Sequence, residues 1–364
     1  MTTRTVASFE IKYHQYLGAD GKPTQELPAF AKDMDKMRSL YRDMALLRAF
    51  DAKAYALQRT GKMGTFPASL GQEAIGIGYG DAMTKEDVLV PYYRSTGAML
   101  KHGISMEEIF IYWGGNEDGA NYRNAKEDFP ICVPIANQII HAAGVAKAIQ
   151  MRGQKRAVAT EIGEGGTSEG DFYEGINVAG IWNLGCVFMV NNNQWAISVP
   201  TEIQTATETY AQKAIAAGIE GVQVDGNDII AVKQMAEYAF EKARNGGGAT
   251  LIEAITYRLC DHTTADDASR YDDPKVKEAA WKNEPMVRLR KYLEDNKAWS
   301  EKDEEAMKAE IAAEVDAAVK AYEAHPIPGP EAMFDNLFAE LPEKTKPQRE
   351  AAIARAKTQT SGAK

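Results

Sequence analysis

The chain has 364 residues, of which 45% are hydrophobic, so it is long enough to bury a substantial core in one or two domains. Its 52 acidic residues outnumber its 42 basic residues and give a formal net charge of −10, which argues against a nucleic-acid binder because such proteins neutralise phosphates. The three cysteines, Cys132, Cys186 and Cys260, are far apart and show no C-x-x-C spacing. This usage predicts a reducing compartment and excludes a cysteine-based zinc site.

The N-terminal segment shows no targeting signal. Residues 1–17 lack the apolar core of a secretory signal, and their acidic and aromatic residues are unusual in a transit peptide. No stretch of the sequence approaches the roughly 18 consecutive apolar residues that a membrane helix needs. We therefore expect a cytoplasmic protein without a membrane partner.

Patterns of apolar residues divide the chain into an N-terminal arm, 1–30, an α/β domain, 31–330, and a C-terminal tail, 331–364. Apolar residues at helical spacing predict a long helix over residues 33–58. Small residues over 139–151 predict a helix that packs closely against a neighbour.

The centre of the chain alternates between buried strands and helices. The predicted segments are strands over 156–162, 185–190, 222–224 and 250–256, and helices over 168–182 and 228–244. Such alternation predicts an α/β fold with a mostly parallel sheet and helices on both faces. Beyond this region a charged helix is expected over 299–324, and the polar residues 345–364 are expected to fray.

A glycine-rich turn follows the first of these central strands. Gly163, Glu164, Gly165 and Gly166 precede a helix, so the backbone can approach a ligand closely and the helix start can bind a diphosphate. Asn193 follows the next strand, and ligands of parallel sheets sit at the carboxyl ends of the strands. A carboxylate and a carboxamide side by side, together with diphosphate oxygens, suit magnesium.

The turn and the asparagines, 29 positions apart (193 minus 164), resemble the fingerprint of thiamine-diphosphate enzymes. Further motifs agree: GQEA at 71–74, PYYR at 91–94, QVDGND at 223–228 and YRLCDHTTADDASRY at 257–271. Over residues 33–340 the chain resembles the alpha subunits of pyruvate and branched-chain 2-oxo acid dehydrogenases. The resemblance implies the thiamine-diphosphate-binding fold, with thiamine diphosphate and magnesium as cofactors.

The resemblance also implies roles for individual residues. Glu164 and Asn193 would bind magnesium with their side chains, and Trp195 with its carbonyl. Tyr93 and Arg94 would bind the diphosphate. The residues that complete the cofactor-binding set are Val133 and Ile135 at the aminopyrimidine, the turn glycines Gly163, Gly165 and Gly166, and Arg258.

His262 is the one catalytic residue that the resemblance implies, close to the diphosphate and the thiazolium. As a histidine it is expected to exchange a proton near neutral pH. Two features depart from the relatives. Asp272 follows Tyr271 where relatives often have arginine, and residues 114–131 contain none of the histidines that some relatives carry there.

The implied activity is oxidative decarboxylation of a 2-oxo acid, with transfer of the acyl group to the lipoyl group of a second component, an acyltransferase. Pyruvate is the favoured substrate, and a branched-chain 2-oxo acid is the alternative. A beta subunit would complete the site in a tetramer of two alpha and two beta chains. Two remote alternatives are a scaffold subunit without catalysis and an NAD-dependent Rossmann dehydrogenase, whose G-x-G-x-x-G fingerprint is broken by Ser168.

Overall fold

A computed structural model describes residues 3–335 and 337–361 of the chain. The α-helices are α1 (Met34–Arg59), α2 (Glu73–Ala82), α3 (Thr96–Lys101), α4 (Met106–Trp113), α5 (Asn137–Met151), α6 (Gly170–Ile181), α7 (Lys213–Ala216), α8 (Ile229–Arg244), α9 (Pro274–Asn283), α10 (Pro285–Asp295), α11 (Glu301–Ala324), α12 (Ala332–Asp335) and α13 (Lys346–Ser361). The strands are β1 (Lys12–His14), β2 (Val88–Val90), β3 (Val158–Gly163), β4 (Cys186–Asn192), β5 (Trp195–Ala196), β6 (Val199–Pro200), β7 (Glu220–Asp225) and β8 (Thr250–Ile255).

Six strands form one sheet in the order β1-β7-β8-β4-β3-β2, and every neighbouring pair is parallel. β5 and β6 form a separate antiparallel pair. The register of β3 and β4 pairs Gly163 with Asn191, so the polar segments that follow the two strands start level with each other. The predicted α/β class with a parallel sheet is confirmed.

Both faces of the sheet are covered. On one face, side chains such as Ile162 and Phe188 pack against Ile139 of α5 and Phe172 of α6 in a single apolar cluster. On the other face, Tyr79 of α2 donates a hydrogen bond to the buried Glu161 of β3 at 3.0 Å. Burial on both sides explains why the predicted strand segments are rich in apolar residues, most clearly over 185–190.

Several predicted elements agree with the structure to within a few residues, among them the first helix, whose start is capped by Asp33 through Asp35 N and Lys36 N. Helix α2 was not predicted, because it contains three glycines, which disfavour a helix. Of the segment 345–364 that was expected to fray, residues 346–361 form α13 instead, and residues 362–364 lie outside the described residues. None of the described helices is both long and apolar enough to cross a membrane.

By its internal packing the chain divides into two compact units, Met1–Val319 and Lys320–Lys364. The first unit contains the sheet, including β1, which lies in the predicted N-terminal arm. In the second unit Arg349 forms a two-contact ion pair with Asp335, at 2.6 and 2.9 Å. The predicted boundaries after residues 30 and 330 remain predictions.

Candidate functional site

A cavity of about 470 Å³ opens at the carboxyl ends of β3 and β4. It is lined by all but one of the residues that the sequence predicts for the site. These are Tyr93, Arg94, Val133, Ile135, Gly163, Glu164, Gly165, Gly166, Asn193, Trp195 and His262. The exception, Arg258, is not among the lining residues.

Glu164 and Asn193 meet at the base of this cavity. Glu164 is only 1% exposed, and its Oε2 accepts a hydrogen bond from the main-chain nitrogen of Asn193 at 3.3 Å. Within the described chain the other oxygen, Oε1, has no hydrogen-bond partner. Burial raises the pKa of Glu164 to about 7. A buried carboxylate oxygen without a partner is costly unless a cation or a donor satisfies it.

The carboxamide of Asn193 is fixed on both sides. Its Nδ2 donates to Oε1 of Gln72 at 2.8 Å, and its Oδ1 accepts from the main-chain nitrogen of Trp195 at 3.2 Å. Gln72 belongs to the GQEA motif, for which no role was predicted from the sequence. The structure places it where it sets the orientation of a predicted metal ligand.

The glycines of the turn are required by close packing. A Cβ atom on Gly165 would lie 2.3 Å from Cβ of Ala196, and one on Gly166 would lie 2.8 Å from the side chain of Ile162. A Cβ on Gly163 would meet nothing within 4 Å. Gly165 and Gly166 therefore keep the turn close to its protein neighbours, whereas Gly163 faces open cavity.

Arg94 forms hydrogen bonds with two separate segments beside the cavity, one containing Ala68 and the other containing His262. It is 4% exposed; its Nε donates to the carbonyl of Ala68 at 2.9 Å, and its Nη2 donates to the carbonyl of His262 at 2.6 Å. The guanidinium also lies 5.2 Å from the ring centre of Tyr93. This fixed positive charge at the cavity wall suits an anionic ligand.

His262 lies with its Nδ1 3.4 Å from Nη2 of Arg94. Because a guanidinium can only donate, Nδ1 is an acceptor, and the proton of the neutral ring is on Nε2. Burial, together with the positive charges of Arg94 and Arg258, lowers the pKa of His262 to about 3. The expectation that this ring exchanges a proton near neutral pH is therefore wrong for this arrangement of charges.

Arg258 clamps two loops together behind the cavity. Its Nη2 donates to the carbonyl of Ile197 and to the hydroxyl of Tyr271, both at 2.7 Å. Ile197 adopts a left-handed backbone conformation (φ 57°), which is unfavourable for a β-branched residue. In this structure Arg258 acts on the walls of the site, while its predicted contact with the cofactor remains a prediction.

The predicted aminopyrimidine segment forms the apolar side of the cavity. Val133 and Ile135 are 50% and 45% exposed, and Ala136, the residue before α5, is left-handed with φ 69°. The lining also includes residues that sequence reasoning did not single out: Thr65, Pro67, Tyr92, Trp113, Cys132, Gln138, Ile162, Glu169, Ala196, Ile197 and Thr263. Tyr92 and Thr263 lie within the PYYR and YRLCDHTTADDASRY motifs, whereas residues such as Thr65, Pro67 and Trp113 lie outside the motifs and are brought to the cavity only by the fold.

The chain matches the family model described as dehydrogenase E1 component over residues 41–331. It belongs to the dehydrogenase E1 component family. Similar proteins include the pyruvate dehydrogenase E1 component subunit alpha of Bacillus subtilis, 36% identical over 337 residues, which are 92% of this chain and 91% of that protein. The corresponding Staphylococcus aureus subunit is 40% identical over 288 residues, 79% of this chain and 78% of that protein. The 3-methyl-2-oxobutanoate dehydrogenase subunit alpha of Mycobacterium tuberculosis is 39% identical over 304 residues, 83% of each chain.

The family resemblance predicted from the motifs is thus confirmed. Enzymes of the dehydrogenase E1 component family decarboxylate 2-oxo acids with thiamine diphosphate. The chain is accordingly part of a 2-oxo acid dehydrogenase.

The residues of the cavity fit this cofactor. Oε1 of Glu164 offers a buried acceptor without a partner in the described chain, and Arg94 offers a fixed positive charge for a diphosphate. In the described chain no three His, Cys, Asp or Glu side chains form a group that could hold a metal ion. A metal at this position would therefore need oxygen ligands from Asn193, from the main chain and from the cofactor itself.

Proposed function

We propose that this chain is the alpha subunit of a pyruvate dehydrogenase E1 component that works in the cytoplasm. The observation that carries the proposal is the single cavity that holds Glu164, Asn193, Arg94 and the turn glycines at the ends of two parallel strands. The names of similar proteins from Bacillus subtilis and Staphylococcus aureus support the choice of pyruvate.

In the proposed enzyme, Glu164 and Asn193 bind magnesium through their side chains, and Trp195 binds it through its carbonyl. Tyr93 and Arg94 hold the diphosphate, and the start of α6 adds main-chain nitrogens and a positive dipole. Val133 and Ile135 hold the aminopyrimidine. Thiamine diphosphate, when bound, supplies the nucleophilic carbon and the electron sink for decarboxylation.

His262 is the proposed catalytic residue of this chain. In its neutral form the ring presents an Nε2–H donor, because Nδ1 faces the guanidinium of Arg94. Such a donor can hold an oxygen of the substrate in place. His262→Ala should lower overall turnover, and most of all the transfer to the lipoyl group. Turnover and cofactor affinity both at wild-type levels would rule out this role.

A beta subunit completes the proposed site, in a tetramer of two alpha and two beta chains, and a lipoyl-bearing acyltransferase receives the acyl group. The exposure of apolar side chains at the rim of the cavity supports the proposal of a partner chain. Val133 and Ile197 are 50% and 56% exposed, although both are large and apolar. Exposed apolar patches next to a polar site are typical of interaction surfaces.

The proposal is tested by titrating the purified alpha–beta complex with thiamine diphosphate at several magnesium concentrations. Saturable binding that depends on magnesium, with decarboxylation by the complex and none by the alpha chain alone, is expected. Full activity of the isolated alpha chain would contradict the shared site. Absence of cofactor binding by the complex would instead favour a scaffold subunit.

The substrate has one serious alternative, a branched-chain 2-oxo acid, because the Mycobacterium tuberculosis relative is a 3-methyl-2-oxobutanoate dehydrogenase subunit. Rates of ferricyanide reduction by the complex with pyruvate and with 2-oxoisovalerate distinguish the two. A preference for the branched acid above about tenfold, equal to roughly 1.4 kcal/mol in transition-state free energy, would replace pyruvate in the proposal.

A further inference from the structure

A buried lysine lies directly behind the glycine-rich turn. Lys213, the first residue of α7, is 6% exposed, and no carboxylate among the described residues pairs with it. We infer that Lys213 is a positioning residue that fixes the turn carrying Glu164, and with it the magnesium and diphosphate ligands. The inference rests on the proposed function.

Three hydrogen bonds, through Thr167, connect the ammonium group to the turn. Nζ of Lys213 donates to the carbonyl of Thr167 at 2.8 Å and to its Oγ1 at 2.7 Å. Oγ1 of Thr167 donates in turn to the carbonyl of Glu164 at 2.6 Å. Because all three bonds are accepted by residues of the 3-10 turn Glu164–Ser168, the lysine holds the main chain that carries the side chain of Glu164.

Aromatic rings surround the rest of the ammonium group. Nζ lies 5.9 Å from the ring centre of Phe172, 5.2 Å from that of Tyr173 and 5.4 Å from that of Tyr210. Phe172 and Tyr173 belong to α6, the helix that follows the turn. The lysine therefore fixes the turn relative to the first residues of this helix.

Among the described residues one further lysine, Lys233, is buried, and its contacts differ from those of Lys213. Its Nζ contacts two carboxylates, Asp81 at 2.9 Å and Glu237 at 2.6 Å, as buried charges normally require. Burial lowers the pKa of Lys213 to about 8, so its charged form still predominates at neutral pH. A buried charge without a carboxylate is costly in the folded protein, and a bound anion next to the turn would offset that cost.

The position of Lys213 in the chain adds a second constraint. It follows the segment that contains Trp195 and Ile197, both of which line the cavity. Tyr210, three residues before it, shares a hydrogen bond of 2.8 Å with Thr201 in that segment. Lys213 thus connects the turn of β3 with the loop that follows β4.

The test uses the alpha–beta complex with Lys213→Met, which keeps an apolar stem of similar length and removes the charge. Thiamine diphosphate affinity is measured by calorimetry across a range of magnesium concentrations, and melting temperatures are measured with and without both ligands. Affinity should fall by about tenfold or more at every magnesium level, as expected for the loss of charge-assisted hydrogen bonds. The melting temperature without ligands should change little, because the variant also removes a desolvated charge.

Three further variants make the outcome specific. Thr167→Val keeps the lysine but removes the hydroxyl that connects it to Glu164, so it should also weaken cofactor binding. If Lys213→Met does not assemble with the beta chain, Thr167→Val still tests the inference. Lys213→Arg should restore part of the affinity. The matched control is Lys147→Met. Nζ of Lys147 lies 5.1 Å from the ring centre of Trp182, and this variant should bind thiamine diphosphate like the wild type.

Wild-type cofactor affinity in both Lys213→Met and Thr167→Val would overturn the inference. A lower melting temperature of the ligand-free complex with unchanged affinity would also overturn it, because that pattern belongs to a purely structural lysine. If the wild-type complex itself binds no cofactor, the proposed function fails, which is a different result.

Discussion

Oε2 of Glu164 and the main-chain nitrogen of Asn193 are 3.3 Å apart, across the level ends of two adjacent parallel strands. The bond holds the carboxylate in place but uses only one of its oxygens. The second oxygen is buried and has no partner in the described part of the chain. The carboxylate of Glu164 thus keeps one oxygen for the magnesium ion that we propose.

Glu164→Gln should therefore strongly weaken the magnesium-dependent binding of the cofactor while leaving the fold intact. The amide keeps the shape of the side chain but lacks the charge that offsets the metal. The loss of affinity should exceed the roughly 10–100-fold that is typical when a residue orienting a metal ligand is lost. Cofactor titrations against magnesium measure it. Glu164→Asp is the control and should be much milder, and equal affinity of Glu164→Gln and wild type would exclude Glu164 as a ligand.

Two glycines of the turn should respond to alanine in different ways. Gly165→Ala places its methyl group 2.3 Å from Cβ of Ala196, so it should destabilise the complex without cofactor by roughly 1–3 kcal/mol. Gly163→Ala meets no protein atom within 4 Å, so it should leave that stability unchanged and lower only the affinity for the cofactor. Denaturation of the complex and calorimetric titration separate the two effects. Equal stability losses in the two variants would contradict this account.

The neutral state of His262 has a consequence for stability at low pH. Its pKa of about 3 in the folded protein lies below the ordinary value of 6.5, so between these values the unfolded chain takes up a proton that the folded chain does not. Stability is therefore lost as pH falls from 6.5 towards 3. The melting temperature of His262→Gln should therefore lie closer to that of the wild type at pH 5 than at pH 7.5, or should exceed it at pH 5. A difference in melting temperature that is the same at both pH values would contradict this.

The contact of Arg258 with Tyr271 should control how tightly the loop 261–272 is held. The hydroxyl of Tyr271 accepts from Arg258 at 2.7 Å and donates to Asp266, whose carboxylate also accepts from the main-chain nitrogen of His262 at 2.8 Å. Tyr271→Phe removes both hydroxyl bonds, at a cost of about 1 kcal/mol each. Limited proteolysis within this loop should become faster. Tyr238→Phe, on the surface of α8, is the control and should be cleaved at the wild-type rate.

The sequence predicts the polar half of the site well, because its position follows from a simple rule. Residues that follow adjacent parallel strands meet at one edge of the sheet, so the pairing of Glu164 with Asn193 needs only the strands and their order. The orientation of Arg258 could not be predicted in this way. It depends on the left-handed Ile197 and on the path of the loop to Tyr271, and neither leaves a local pattern in the sequence.

Helix α2 shows why the fold itself was only partly predictable. Gly76, Gly78 and Gly80 disfavour a helix, yet a Cβ on Gly76 would lie 3.2 Å from Cα of Gly97, and one on Gly80 would lie 2.8 Å from Cα of Ala98. Gly76 and Gly80 thus allow the close contact with α3, and Gly78 allows a contact with α8, where a Cβ would lie 2.8 Å from the side chain of Val232. Packing between helices outweighs local propensity, and such packing cannot be read along a single segment.

The first strand of the chain adds to the sheet beside β7, where Lys12 pairs with Val222, 210 residues later (222 minus 12). Asp228 fastens this strand by accepting from the main-chain nitrogens of Tyr16 and Leu17, at 2.6 and 2.8 Å. During synthesis on the ribosome, β1 therefore cannot pair with β7 until more than half of the polypeptide has been made. Contacts between such distant residues slow folding. Until β1 has paired, the edge of β7 is open to pairing with other chains, which leads to aggregation. Low temperature or slow synthesis lowers the concentration of such incomplete chains and should favour soluble production.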